Sequence, residues 1–240
     1  MSAQDITWWL VMTDPDFISL LITLRLATVT TFCLILIGTP LAWFLANSRH
    51  FLRNLIEPIV ALPIVLPPTV VGFYLLIVFS PDTLPGQIWL SATGSTLAFS
   101  FAGLVIGSII YSLPFYVQPL QVAFSNLRLE LIEAAATLGA GPVDRFFNLI
   151  LPLCRRGFVI AICLSFAHTV GEFGIVLMIG GNLPDETRVL SIALFDHVEA
   201  LDYQRAHLLA LGLLGFAFVM LFVLYNLDRH WQKSSMGESR

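Results

Sequence analysis

Residues 83–127 read TLPGQIWLSATGSTLAFSFAGLVIGSIIYSLPFYVQPLQVAFSNL, and no ionised side chain occurs between Asp82 and Arg128. About 20 consecutive apolar residues suffice to cross ~30 Å of hydrocarbon as a helix. This stretch exceeds that length, and the chain around it is 57% hydrophobic and only 12% charged. An ordinary soluble domain carries roughly 25% charged residues. The spans must be helices, because an open strand would leave backbone groups unpaired in lipid. They are also far longer than the alternating strands of a membrane barrel. Working outward from this stretch predicts an all-α integral membrane fold with spans at about 17–46, 55–80, 96–119, 157–180 and 205–227. One transmembrane domain then covers residues 1–240, ending in a tail from 228 to 240.

The arginines orient these spans. Arg49 and Arg53, then Arg128, Arg145, Arg155 and Arg156, and finally Arg229, Lys233 and Arg240 all fall on one side. Only Arg188 and Arg205 fall on the other, with Arg25 inside the first span. That bias puts the N-terminus outside and the C-terminus in the cytoplasm of a multi-pass membrane protein, which the family resemblance given below implies to lie in the bacterial inner membrane. The N-terminal stretch has no basic residue, so no cleaved signal is expected, and Trp8-Trp9 suits an anchor at headgroup level. Cys33, Cys154 and Cys163 lie in or beside spans and read as small packing residues, with no spacing that would hold a metal. Lipid surrounds such a chain, and no nucleic-acid partner is expected.

The segment 120–156 is soluble-looking and inserted between apolar spans. Asn126 can cap a helix over Leu127 to Leu138, which is rich in good helix formers. On that helix Leu127, Leu131, Ala134, Ala135 and Leu138 share one face, kept shallow by the alanines. Gly139 and Gly141 permit a reversal, Pro142 suits the first turn of a second helix, and Asp144 favours its positive end. The pattern alone fits either a docking hairpin or a connector lying flat at the membrane surface.

The spacing Glu133-Ala134-Ala135-x3-Gly139-x9-Leu149-x-Leu151-Pro152 resembles the EAA signature of type I ABC importer permeases, with Leu149 where isoleucine is usual. In that family the hairpin docks into a cleft on an ATPase subunit, so the resemblance implies that these seven residues couple transport to ATP. A second likeness narrows the group. Residues 62–72 (LPIVLPPTVVG), Gly171-Glu172-Phe173-Gly174, Gly180-Gly181-Asn182-Leu183-Pro184 and Thr187-Arg188 are similar to segments of the molybdate, tungstate and sulfate permeases. Molybdate is the expected substrate, with tungstate or sulfate as alternatives. His168 and Thr169 stand where an arginine and a serine are expected from that group. The resemblance also implies a homodimer that binds two ATPase subunits in the cytoplasm and works by alternating access.

The chain has no phosphate loop of its own: its only lysine, Lys233, lacks the glycine cradle such a loop needs. It is therefore expected to be a transport subunit and not an enzyme, and to bind no cofactor, with ATP and magnesium on the partner. The outer side carries Asp5, Asp14, Asp16, Asp82, Asp185, Glu186, Asp196, Glu199 and Asp202 against Arg188 and Arg205. Such a surface repels a dianion, and screening over ~8 Å does not reverse the sign. A periplasmic oxyanion-binding protein is therefore expected to deliver the substrate. Residues 184–203 read as an outer amphipathic segment, suited equally to docking that protein or to packing.

Candidate gate or pathway residues are Arg25, Pro67, Pro68, His168, Gly171, Glu172 and Gly174. On a continuous fourth span Glu172 lies about 12 Å from the outer end, at 1.5 Å per residue. His168 is then one turn away on the same face. A protonated or hydrogen-bonded Glu172 could pack helices at a gate, with Gly171 and Gly174 as close-contact points, or it could line the path. Arg25 either snorkels to headgroups or contacts the anion. Pro67-Pro68 reads as a hinge, whereas Pro114 and Pro119 steer the chain into the hairpin. A self-sufficient channel or secondary carrier, with the hairpin as a mere connector, is the competing class.

Overall fold

The computed structural model describes residues 14–237, those from 228 onward by backbone alone. The Trp8-Trp9 anchor, Asp5 and the side chains of Arg229, Lys233 and Arg240 lie outside the described residues. Helix α1 (Pro15–Asn47) opens with Asp14, whose carboxylate accepts the Asp16 amide at 2.9 Å, and with Pro15 in its first turn. Both are strong start signals. At 1.5 Å per residue its 33 residues span about 50 Å. It packs along α5 (Phe101–Ser125), which Ser100 caps by accepting the Gly103 amide. Gly38 makes that closeness possible, because a Cβ there would sit 2.6 Å from Tyr116 Cδ1. Beside it Thr39 and the Tyr116 hydroxyl are 2.9 Å apart.

The second and fourth expected spans are not single rods. Helices α2 (Phe51–Val65) and α3 (Pro68–Phe79) meet at a 115° bend, so residues 55–80 do not cross as one straight helix. Pro67 and Pro68 cause the break: a proline has no N–H, and it biases its predecessor out of the helical region. Leu66 is extended (φ −77, ψ 138), and the Val70 amide is taken up by the Pro67 carbonyl at 2.9 Å. Helix α4 (Leu84–Thr93) follows, a short element the span assignment did not anticipate. Helix α8 (Arg155–Gly171) stops at an extended Glu172, and α9 (Gly174–Gly180) resumes after Phe173. By length and apolarity α1, α5 and residues 203–227 can each cross a membrane alone, and up to five spans result if bent pairs are joined.

Helix α5 runs to Ser125, so Asn126 closes that helix and does not open the next one. Helix α6 is Leu129–Thr137, and α7 (Pro142–Leu153) contains a π-helical turn at Phe146–Ile150. Helix α10 (Leu190–Glu199) precedes α11 (Tyr203–Gly237), which runs ten residues past the expected end of the last span. The core has two halves. One joins Leu34, Leu45, Tyr116, Leu120, Phe124 and Phe158 near the hairpin. The other joins Leu26, Leu104, Ile175, Val176, Ile179 and Ile192 at the opposite end. Leucines and phenylalanines cover the outer surfaces, as on Leu36, Phe32, Leu214 and Phe218, which suits helices solvated by lipid.

Candidate functional site

The hairpin is built by a helix-stop motif. Gly139 adopts φ +89, a left-handed conformation that glycine reaches without steric cost. The Ala140 amide donates to the Ala135 carbonyl and the Gly139 amide to that of Ala136, each at 3.0 Å. That pair of bonds is a Schellman closure, so Ala135 and Gly139 of the signature end α6 by backbone geometry. Gly141, at φ −69, needs no such freedom, and the reversal rests on Gly139 alone. Pro142 then occupies the first turn of α7, with Asp144 in it.

No residue of α6 is buried. Leu138 is 88% exposed, Leu131, Glu133, Ala134 and Pro152 are exposed, and Ala135 is half-buried. Leu127, Ile132 and Leu151 turn the other way and pack on the core, while Leu149 is half-buried. The hairpin is therefore pinned by one apolar edge and offers the opposite edge to solvent. Ile132, which the helical-wheel reading passed over, is an anchor of that seat.

The second candidate region lies at the helix breaks, which the fold brings together from distant parts of the chain. A Cβ on Gly174 would meet Pro68 Cβ at 2.8 Å, and one on Gly72 would meet Met178 Cβ at 2.8 Å. Helices α3 and α9 thus lie backbone to backbone just past their respective breaks. Gly174 is the close-contact point expected of it. Gly171 is not, since nothing lies within 4 Å of a Cβ built there.

Glu172 sits at the junction, 5% exposed, with neither carboxyl oxygen hydrogen-bonded among the described residues. Ser108 and Tyr111 of α5 stand beside it, and the Ser108 hydroxyl is the nearest hydrogen-bonding group to the carboxyl, although the pair falls short of full hydrogen-bond geometry. Its backbone is held instead, because the Ser191 hydroxyl donates to the Glu172 carbonyl at 2.6 Å. The helix ends before Glu172, so the depth and the shared face with His168 inferred from a continuous span do not apply. His168 is stacked on Phe115 with centroids 3.8 Å apart, and its Nδ1 is 2.9 Å from the Ser112 hydroxyl. Ser112 also meets Thr169 at 3.0 Å, which knits α5 to α8.

Helix α10 buries its first turn (Leu190 to Ala193), and the Leu190 amide donates to Thr23 Oγ1 at 2.7 Å. Of the two readings of this outer segment, packing is the one its first turn serves. Its far end is tied by Asp196 to Arg188 at 3.1 Å and by His197 to Asp16 at 2.9 Å. Arg25 is exposed, with its guanidinium carbon 4.5 Å from the Phe101 ring centroid. Sequence reasoning missed Glu57, a carboxylate on α2 that accepts the Gln121 amide at 2.8 Å and pairs with Arg53 at 3.4 Å. Its only local signal was the i, i+4 spacing to Arg53. Cys33, Cys154 and Cys163 are free thiols.

Residues 38–233 match the family described as "Binding-protein-dependent transport system inner membrane component". The molybdenum transport system permease protein ModB of Azotobacter vinelandii is 51% identical over 218 residues, which is 91% of this chain and 96% of that one. ModB of Escherichia coli K12 is 32% identical over 190 residues, 79% of this chain and 83% of that one. The sulfate transport system permease protein CysT of the same organism is 30% identical over 241 residues, covering 99% and 87%. Among solved structures, a bacterial alginate ABC transporter bound to its periplasmic protein superposes with a TM-score of 0.71 at 15% identity, over 94% of this chain and 83% of that one. The inward-facing MetNI methionine ABC transporter gives 0.66 at 18% identity, over 96% and 99%. At such identities the likeness to these structures concerns the fold alone.

Proposed function

This chain belongs to the binding-protein-dependent transport system inner membrane components, and from that premise we propose that it imports molybdate. It is the membrane-spanning permease subunit of an ABC importer, and it works with an ATPase and a substrate-binding protein. The finer reading is a homodimer, since symmetric pairing is the commonest assembly, with the path on its two-fold axis. Two ATPase subunits sit below it, the N-terminus is outside and the C-terminus is in the cytoplasm. Residues 1–240 form one transmembrane domain.

The observation that carries this reading is the hairpin at 129–153. It is pinned by Ile132 and Leu151, yet Leu131, Ala134 and Leu138 stay open to a partner. Such a handle suits a chain with no phosphate loop, whose ATP and magnesium reside on that partner. Approach of the ATPase subunits would draw the two hairpins together and turn the path outward, and their separation would open it inward. Molybdate is favoured over sulfate because near-full-length identity is 51% to a molybdenum permease against 30% to a sulfate permease.

The test is uptake of radiolabelled molybdate by liposomes holding the permease, its ATPase and the binding protein. Uptake should require ATP and all three components, yield to tungstate at similar concentration and resist sulfate. Equal competition by sulfate would move the assignment to a sulfate permease. Uptake by the permease alone would overturn the importer reading.

A further inference from the structure

A cleft of about 810 Å³ opens where the hairpin meets α1. Its walls are apolar, with Leu36 and Trp43 from α1, Ile132 from α6, and Phe158 and Ile162 from α8. That volume lies within the roughly 300–1,000 Å³ of sites that enclose small molecules. Arg145 of α7 stands at its edge, and its Nε is buried with no hydrogen-bond partner among the described residues. A buried donor without an acceptor is costly, more so when it is charged. Arg145 as a whole is half-buried, and no Asp or Glu lines the cleft to pair with it there. Its complement is an anion joined to an apolar body.

We propose that this cleft holds an acyl chain of an anionic membrane phospholipid, with the headgroup phosphate on Arg145. The proposal rests on reading the hairpin as cytoplasmic, the leaflet where anionic lipids meet basic pockets between helices. The geometry fits that depth. From Trp43 back to Leu36, α1 rises about 10 Å at 1.5 Å per residue. The cleft thus runs from the level where Trp side chains settle down into hydrocarbon. A guanidinium offers five donors in a planar fork suited to phosphate oxygens. The lipid would join α1 to the root of the hairpin, and bilayer composition would then tune how firmly the handle is seated.

The complete transporter, released from phosphatidylcholine nanodiscs doped with phosphatidylglycerol, is examined by native mass spectrometry for retained lipid. The wild type should keep phosphatidylglycerol in preference to phosphatidylcholine. Arg145→Gln should lower that retention about tenfold, the value of a charge-assisted hydrogen bond. Arg145→Lys should restore part of it. Leu36→Trp, which fills the wall and spares the guanidinium, should also lower it, and soluble glycerophosphate should not displace the lipid. Equal retention by wild type and Arg145→Gln, or equal retention of phosphatidylcholine, overturns the proposal. So does displacement by glycerophosphate, which would mark a free-phosphate site. Retention is read on the permease itself, so loss of the ATPase from the complex would fault the coupling reading and leave the lipid result standing.

Discussion

Helix α6 buries none of its side chains, whereas Glu172, at the break between α8 and α9, is only 5% exposed. Both regions depend on glycine, but for different reasons. Gly139 is needed for its φ of +89, with nothing near its missing Cβ. Gly174 and Gly72 are needed for absent volume, with a neighbour at 2.8 Å from each. One surface is left open to solvent, so its shape depends more on its turn than on its exposed side chains. The other is packed against its own chain and leaves no room for added volume at Gly72 or Gly174.

Substitutions can sharpen or break that contrast. The largest effect should come from Gly139→Val, because a β-branched residue held at positive φ costs about 1–3 kcal/mol. The hairpin then loses its reversal, and reconstituted uptake should fall by roughly an order of magnitude while the ATPase subunits still hydrolyse. Normal uptake would remove Gly139 from the coupling machinery. Gly72→Leu should follow, since overpacking against Met178 costs about 1–3 kcal/mol. Its readout is a lower thermal midpoint, and an unchanged midpoint would show that the two breaks are not locked together. Ser191→Ala removes the hydrogen bond to the Glu172 carbonyl and should cost about 1 kcal/mol, measured the same way. Leu138→Ala, at a position 88% exposed, should alter stability by less than about 0.5 kcal/mol yet weaken co-purification of the ATPase. Glu172→Gln should be the mildest and leave coupled uptake in place. A changed preference among molybdate, tungstate and sulfate would instead mark Glu172 as lining the path.

The same contrast explains what the sequence made legible. Hairpin features are local: Gly139 and Pro142 act through their own backbone, and both fall where the spacing put them. The boundary at Asn126 failed because α5 continues past residue 119, the expected end of its span, and a polar residue there serves a C-terminus as well as an N-terminus. Pro67-Pro68 announced a break but not its 115° angle, which depends on how α3 seats against α9. Glu172 was placed on a helix because residues 157–180 are apolar enough to continue one. The interruption is sustained by Ser191, nineteen residues further on, and no local window contains that contact. His168 likewise finds its partners, Ser112 and Phe115, on a different helix.

Pro67 and Pro68 carry no amide hydrogen, and the Val70 and Val71 amides already lie against the Pro67 carbonyl at 2.9 and 3.4 Å. The corner therefore presents few thirsty donors to whatever surrounds it. The last carbonyls of α2 meet no amide from Pro67 or Pro68, so what the corner asks of its surroundings is donors.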